Sequence, residues 1–386
     1  MQEVTLVLRA PSANRVYTEA AGPLAVAEAR WVLGAHLGTV PTVRERRLGG
    51  MDALEIRLPS GSGTDPLRTQ QLISALSVTL GAFDVVEDEG GDDDEDRDAQ
   101  APEGAPPAPL LRPRELPATV THPGDLETIL KYPGKTNEQF TALLINLAAA
   151  LSTRRAGLFD GTLSLLDPLC GRGTTLNRAL RLGLSPLGAE IDRKDVDAYR
   201  SFLTTWLRSH RYKHTLTASK LTLRGQHLGT RLDAELAAGK QAQREGRSQR
   251  VSVLGCDTTR LGELLPDRSV DALVADLPYG VQHGAKAAGA WQRSPLEVLR
   301  SAAGPWRSLL RDGGGLALAI NRHTLAHEDA SDVLAGAGLR VISRDGAFRH
   351  RVDRSIDRDV LLAIPTDHPR AEQLAALGAD QEKIRP

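Results

Sequence analysis

The stretch Leu165-Leu-Asp-Pro-Leu-Cys-Gly-Arg-Gly-Thr174 constrains this chain more than any other. Two leucines lead into Asp167, and Cys170-Gly-Arg-Gly173 follows. Leu176, Ala179, Leu180 and Leu182 then recur at helical spacing. The pattern predicts a buried strand, a glycine turn and a helix. Glycine suits such a turn because the backbone must approach a bound group closely, where a Cβ would collide. About 20 residues on, Leu187-Gly-Ala-Glu-Ile-Asp192 predicts a second strand ending in acids. In nucleotide-binding α/β folds an acid there commonly holds a ribose diol. Gly171-Arg-Gly173 lacks the third glycine of the dinucleotide fingerprint, which disfavours nicotinamide or flavin.

The second anchor is Val270-Asp-Ala-Leu-Val-Ala-Asp-Leu-Pro-Tyr-Gly280, an apolar strand ending in Asp276-Leu-Pro-Tyr279. Between the anchors, Val251-Ser-Val-Leu-Gly-Cys-Asp257 predicts a strand. After them, strands are expected at 315–320, 340–343 and 358–364, with helices at 294–310 and 329–339 and a basic turn at 349–354. Core packing accounts for Trp291 and Trp306 near the ends of the first of these helices. Strands alternating with helices predict an α/β sheet.

Together these residues resemble the S-adenosylmethionine-dependent methyltransferases that modify exocyclic amino groups of bases. Asp167-Pro-Leu-Cys-Gly-Arg-Gly173 is similar to their cofactor loop. Asp276-Leu-Pro-Tyr279 is similar to their (Asp/Asn)-(Pro/Leu)-Pro-(Tyr/Phe) catalytic tetrapeptide. Cys170 and the Tyr-Gly after Pro278 resemble most the RNA methylase family that includes the THUMP-associated guanine 2-amino methyltransferases of tRNA. The resemblance covers residues 125–365. It implies a Rossmann-like, seven-stranded methyltransferase domain, S-adenosylmethionine as cofactor, and an RNA substrate in tRNA processing or a related modification. On the same basis Asp167, Pro168, Cys170, Gly171, Gly173 and Thr174 form the cofactor loop. Glu190 and Asp192 are the candidate ribose ligands, and Asp257 accepts a hydrogen bond from the adenine amino group. The tRNA enzymes carry a THUMP module after a ferredoxin-like domain. No THUMP segment is discernible in residues 1–88, which leaves the RNA species open.

An aromatic amino group is a poor nucleophile because its lone pair is delocalised into the ring. A carboxylate accepting from one amino hydrogen and a carbonyl accepting from the other favour the geometry needed for attack. Asp276 and the main chain of Leu277 are assigned these roles. Pro278 fixes the backbone, and Tyr279 stacks on the base. Asp276 and the glycine after Tyr279 lean toward guanine in RNA. The alternatives are a DNA adenine or cytosine amino-methyltransferase, for which a target-recognition region is small here, and a catalytically inactive RNA-binding protein.

The rest of the chain frames this domain. Residues 1–88 contain a strand at 4–8, a helix at 24–37, a hairpin at 43–58 around Gly49-Gly50, a helix at 67–80 and a strand at 82–86. That order predicts a small α+β, ferredoxin-like accessory domain. Residues 89–120 are expected to be a linker. Asp92-Asp-Asp-Glu-Asp96 repels itself, and prolines fall at 102, 106, 107, 109, 113 and 117, so little apolar surface is available for burial. The methyltransferase domain is expected at 121–365, followed by a peripheral helix or tail at 366–386. Upstream of the cofactor loop, Thr136 or Asn137 caps a helix. By resemblance, Lys135 and Thr136 are also candidates to cover the methionine end of the cofactor.

Residues 208–250 make a longer connection than an α/β unit needs. Arg208, Arg211 and Lys213 are its candidate substrate contacts, and Lys220, Arg224 and Arg231 add charge. Basic residues interleaved with Tyr212 and His214 suit phosphate contact and base stacking, and a solvated insertion is the alternative. The formal net charge of -1 conceals this segregation between the acidic stretch and the basic insertion. His210 and His214 are four apart with no acid or cysteine to complete a metal set, so no metal is expected. Cys170 and Cys256 are too few for a disulfide framework. No apolar run approaches a membrane span and the N-terminus is no signal peptide, so a cytoplasmic location and no membrane partner are expected. The oligomeric state is not legible.

Overall fold

The computed structural model describes residues 4–12, 14–59, 65–86, 110–278 and 294–383. The first unit runs β1 (Val4–Arg9), α1 (Arg15–Leu37), β2 (Thr42–Leu48), β3 (Met51–Arg57), α2 (Pro66–Ala75), β4 (Thr79–Val86) and β5 (Leu110–Arg114). Its sheet has the order β2-β3-β1-β4-β5, antiparallel throughout. Helix α1 starts nine residues before Leu24 because the Asn14 side chain accepts from the backbone N–H of Val16 and Tyr17. The helix expected to reach Leu80 stops at Ala75. There the buried Glu28 carboxylate takes the Ser77 amide at 2.9 Å and the Ser77 hydroxyl at 2.5 Å, and Leu80 is left exposed on β4. Residues 110–114, expected in the linker, form an edge strand. Pro113 is tolerated because an edge leaves one row of donors unused, and Arg114 Nε donates to Asp84 Oδ1 at 2.6 Å. The run from Asp92 to Asp96 and the prolines from 102 to 109 lie outside the described residues.

The second unit continues with α3 (Asp125–Thr128), α4 (Glu138–Leu151), α5 (Gly157–Asp160), β6 (Leu165–Asp167), α6 (Thr174–Arg181), β7 (Leu187–Ala189) and α7 (Arg193–Ser209). Then come β8 (Lys213–Leu223), β9 (Gln226–Ala237), α8 (Lys240–Arg244), β10 (Gln249–Leu254), α9 (Leu261–Leu264), β11 (Val270–Asp276), α10 (Pro295–Leu309) and β12 (Leu310–Asn321). The chain closes with α11 (His327–Gly336), β13 (Leu339–Val341), β14 (His350–Arg351), β15 (Asp357–Pro365) and α12 (Ala371–Lys383). The sheet order is β13-β15-β12-β11-β6-β7-β10-β9-β8, with β14 paired to β15. Strands β10, β7, β6, β11 and β12 are parallel neighbours, and their largely apolar interiors match burial on both faces.

The sheet is α/β and mixed, but among the described residues it has ten strands rather than the expected seven. Residues 208–250, expected as an irregular connection, supply two of the extra strands. β8 and β9 pair over their whole length, and β9 adds antiparallel to β10. Leu232, Ala234 and Leu236 alternate inward along β9, which gives the hairpin a buried face.

The two units share one core. Leu24 and Leu33 of α1 pack in the same cluster as Phe140, Leu143 and Leu147 of α4, and Leu374 and Leu377 of α12 join them. The segment expected as a tail is therefore partly buried. At the junction, Asn146 of α4 donates to Glu28 at 2.7 Å and to the Ala75 carbonyl at 2.7 Å. Burial pushes the Glu28 carboxyl above its usual range, offset by the Asn146 and Ser77 donors.

Candidate active site

The order of strands fixes where a site can form. The chain leaves β6 toward β7 and β10, then returns to the other side of β6 as β11, so a crevice opens between the C-terminal ends of β6 and β11. β6 ends at Asp167 and β11 at Asp276. β7 runs into Glu190, and β10 into Asp257. Glu190 N donates to the Leu254 carbonyl at 3.1 Å, which holds the last two ends together. The expected acids thus converge on one edge of the sheet.

The glycine loop is held from below. Cys170 N donates to the Ala189 carbonyl at 2.9 Å, and Gly173 N donates to the Cys170 carbonyl at 2.8 Å. The Cys170 thiol is buried in the core, and burial raises its pKa well above the ordinary value. Cys170 therefore anchors the loop and does not face a ligand with its side chain; Pro168 beside it is also buried. Gly171 and Gly173 both have positive φ, 50° and 80°, but for different reasons. A Cβ at Gly171 would meet nothing within 4 Å, whereas one at Gly173 would lie 2.4 Å from the Tyr199 ring. Gly171 borders open space, and Gly173 is required by packing against α7. Thr174 opens α6, and its Oγ1 lies 3.1 Å from the Tyr132 hydroxyl.

Carboxylates crowd this loop. Asp167 is 4% exposed and accepts from Leu169 N at 3.0 Å. Burial pushes its pKa up to about 7 against the pull of Thr175 and Leu169, and the charges of Asp276 and Glu190 raise it further. Glu190 accepts from Gly171 N at 2.9 Å and from Asp192 N at 2.7 Å, and its pKa is also raised, chiefly by burial. Asp192 caps α7 through Lys194 N at 2.8 Å. Asp257 caps a 3-10 turn through Thr259 N at 2.9 Å, and Trp306 braces that turn by donating to Thr258 Oγ1 at 2.9 Å. Buried acids with raised pKa values beside a cleft suit a cationic ligand, which would favour their ionised forms. The site therefore fits S-adenosylmethionine, which carries a sulfonium and an ammonium. Among the described residues, no group of His, Cys, Asp and Glu side chains is placed to hold a metal ion.

Asp276 has partners that the sequence only partly disclosed. Thr136 Oγ1 donates to Asp276 Oδ2 at 2.7 Å, while Asn137, not Thr136, caps α4. Lys135 turns away, donating to the Glu127 carbonyl at 2.6 Å and pairing with Glu138. Arg358 Nη2 lies 3.6 Å from Asp276 Oδ2. This arginine is 4% exposed and lies over the Phe140 ring at 4.7 Å. Burial lowers its pKa and the Asp276 charge opposes that. A charged residue opening an apolar strand was the available signal for it. Tyr17 of α1 packs edge-on to Phe140, with ring centroids 6.5 Å apart. Asn137 Nδ2 donates to Ser12 Oγ at 3.0 Å and Gln139 Nε2 to the Ala10 carbonyl at 3.1 Å, so the first unit abuts the Asp276 side of the crevice. Tyr132 is a further residue that sequence reasoning missed; it touches Thr174, and the Arg172 guanidinium lies 4.8 Å from its ring centroid.

Leu277 is buried and extends the β11 ladder through its N–H to the Ala319 carbonyl at 3.1 Å, and Pro278 is exposed. Tyr279, Gly280 and Trp291 lie outside the described residues. Arg208, Arg211 and Lys213 are exposed but are not brought to the crevice. The hairpin register puts Lys213 beside Ala237, level with the start of β10, whereas Lys220 pairs with Thr230 beyond its end. Those positions are about 20 Å apart along a strand. Tyr212 is not offered for base stacking: its hydroxyl bonds to His122 at 2.9 Å, and its ring packs on Trp206.

Residues 134–303 match the family model described as RMKL-like, methyltransferase domain (UPF0020). No curated protein matches the sequence. Among solved structures, the chain is similar to a TehB-like SAM-dependent methyltransferase from Corynebacterium glutamicum, with 11% identity, 54% of this chain and 86% of that one covered, and a TM-score of 0.31. It is similar to the Burkholderia thailandensis 1,6-didemethyltoxoflavin-N1-methyltransferase bound to 1,6-didemethyltoxoflavin and S-adenosylhomocysteine, at 15% identity, 57% and 77% coverage and a TM-score of 0.30. An rRNA methylase from Streptococcus thermophilus shares 8% identity over 53% of this chain and 86% of its own, with a TM-score of 0.29. These three likenesses are too remote to decide a substrate.

Proposed function

We propose that this S-adenosylmethionine-dependent methyltransferase modifies the exocyclic amino group of a nucleobase, guanine in RNA. The observation that carries the reading is Asp276, a carboxylate at the switch point of the sheet, held by Thr136 and Arg358 beside the glycine loop. S-adenosylmethionine supplies an activated methyl group when bound. Asp167, Gly171, Thr174 and Glu190 bind it, with Asp192 and Asp257 at the ribose and adenine ends. Asp276 accepts a hydrogen bond from the target amine, and the Leu277 carbonyl accepts from its other hydrogen. This pair turns the nitrogen lone pair toward the methyl group. Tyr279 stacks on the base. Thr136 and Arg358 fix the Asp276 rotamer, so the carboxylate needs little reorganisation during transfer.

A substrate-positioning role for the first unit is supported by Ala10 and Ser12, which abut the Asp276 side. Its strand order β2-β3-β1-β4 and alternating helices support a ferredoxin-like classification. Lys220 and Arg224, nearer the crevice end of the hairpin than Arg208, Arg211 and Lys213, are the better candidates for RNA phosphate contact. Among the described residues no helix is long and apolar enough to cross a membrane, which is compatible with a cytoplasmic RNA enzyme. Asp276→Ala tests the assignment: it should fold and bind S-adenosylmethionine normally, yet lose roughly a hundredfold or more in single-turnover methylation of RNA. Substantial turnover by this variant would remove the catalytic role.

A further inference from the structure

We propose a second ligand site, for a phosphoryl group, at the seam between the two units, formed by Arg68, Arg155 and Arg370 with His36 beside them. Four separate segments bring these side chains together: the end of α1, the start of α2, the turn after α4 and the residue before α12. Arg370 Nη2 donates to the Ala35 carbonyl, one residue from His36. The Arg68 guanidinium lies 4.8 Å from the Phe159 ring centroid. Phe159 is one helical turn beyond Arg155, whose carbonyl accepts from Leu158 N. All three arginines depress His36, after burial, to about 4. Arg68 adds to the burial that lowers Arg155, and Arg155 adds to the burial that lowers Arg370 to about 10.

Little described offsets this charge, since only Asp160 senses Arg68 and it forms no ion pair with it. Among the described residues, none of the three arginines forms an ion pair with a carboxylate. Asp160, the acid that senses Arg68, is engaged by Thr162 through N–H and hydroxyl at 3.0 and 2.6 Å. Arg68 Nη1 and Arg370 Nη1 are buried donors with no hydrogen-bond partner among the described residues. Converging like charges and desolvated donors are both unfavourable when left alone. The Ala35 carbonyl and Gln373 Oε1 at 2.9 Å engage two nitrogens of Arg370 and leave its Nη1 and the other two arginines unexplained. A tetrahedral oxyanion answers both needs, because its oxygens accept from several guanidinium forks at once. The 14-residue helix α4 separates this seam from Thr136 and Asp276, about 21 Å along its axis. The site is therefore distinct from the cofactor crevice and does not depend on the methyl-transfer reading.

The phosphoryl group could arrive as free phosphate or on an RNA backbone, and the test separates these. Inorganic phosphate is titrated into the full-length protein by calorimetry and thermal unfolding, against chloride at matched ionic strength. Phosphate should raise the melting temperature of the parent. Arg155→Gln and, as a second variant, Arg68→Gln should bind phosphate at least tenfold more weakly. Arg155→Gln should be no less stable than the parent without phosphate, since it removes a repelling charge, and both variants should keep S-adenosylmethionine affinity. Competition between inorganic phosphate and a 5′-phosphorylated RNA oligonucleotide would assign the group to RNA; binding without competition would assign free phosphate. If phosphate gives no more stabilisation than chloride, or if both variants keep the parent's phosphate affinity, the seam is not an anion site.

Discussion

Replacing Asp167 by asparagine should change how the ligand-free protein's stability depends on pH. The carboxyl sits at the end of β6, 4% exposed, with its pKa lifted from 3.8 to about 7. An acid raised on folding binds its proton more tightly in the folded chain. Below pH 3.8 both states are protonated and the contribution is complete. Between 3.8 and about 7 the unfolded chain ionises and the folded one does not, so stability falls as pH rises; above about 7 it falls no further. At about 1.36 kcal/mol per pH unit, the interval corresponds to about 4 kcal/mol. The amide that replaces the carboxyl cannot ionise, yet its oxygen can still accept from Leu169 N. Denaturant unfolding at pH 5 and pH 8 should show the parent losing about 3 kcal/mol of stability relative to Asp167→Asn, the part of the interval that lies between pH 5 and about 7. Equal changes in the two proteins would refute the picture of a desolvated acid held among Glu190 and Asp276.

The two loop glycines and the hairpin give further outcomes. Gly171→Val should lose S-adenosylmethionine binding by calorimetry because its side chain enters open space at the loop, at a cost of about 1–2 kcal/mol in stability from its positive φ. Gly173→Ala should instead destabilise the fold by about 1–3 kcal/mol in denaturant unfolding, because its Cβ meets the Tyr199 ring. Lys220→Ala with Arg224→Ala should weaken RNA binding and lower the salt slope by about one for each phosphate no longer neutralised. Alanines at Arg208, Arg211 and Lys213, at the other end of the hairpin, should do so less.

Local patterns disclosed the site better than its surroundings. The glycine loop and the strand-end acids were legible because they occupy short stretches whose neighbours in sequence are also their neighbours in space. Asp276 was legible for the same reason, but Arg358, 82 residues on, reaches it only because β15 pairs with β12 beside β11. Tyr132 and Thr136 were visible as residues, and their contacts depend on how the segment before α4 folds back over the loop. The helix end at Ala75 was missed because apolar spacing continued to Leu80, and a buried acid from α1 captured Ser77 instead. The strand at 110–114 was missed because proline-rich composition masked an edge position. The hairpin was missed because its outer face is polar and charged, so only β9 carries a clear alternation.

The central claim is that a carboxylate-held guanine amine of RNA receives the methyl group. Its most direct test is single-turnover incubation with methyl-labelled S-adenosylmethionine and separated cellular tRNA, rRNA and DNA, followed by mass spectrometry of the digested nucleosides. The account predicts label in N2-methylguanosine from RNA with the parent protein, and at least about a hundredfold less with Asp276→Ala. Label in a methylated adenine or cytosine from DNA, or in a methylated ribose or ring carbon, would contradict it.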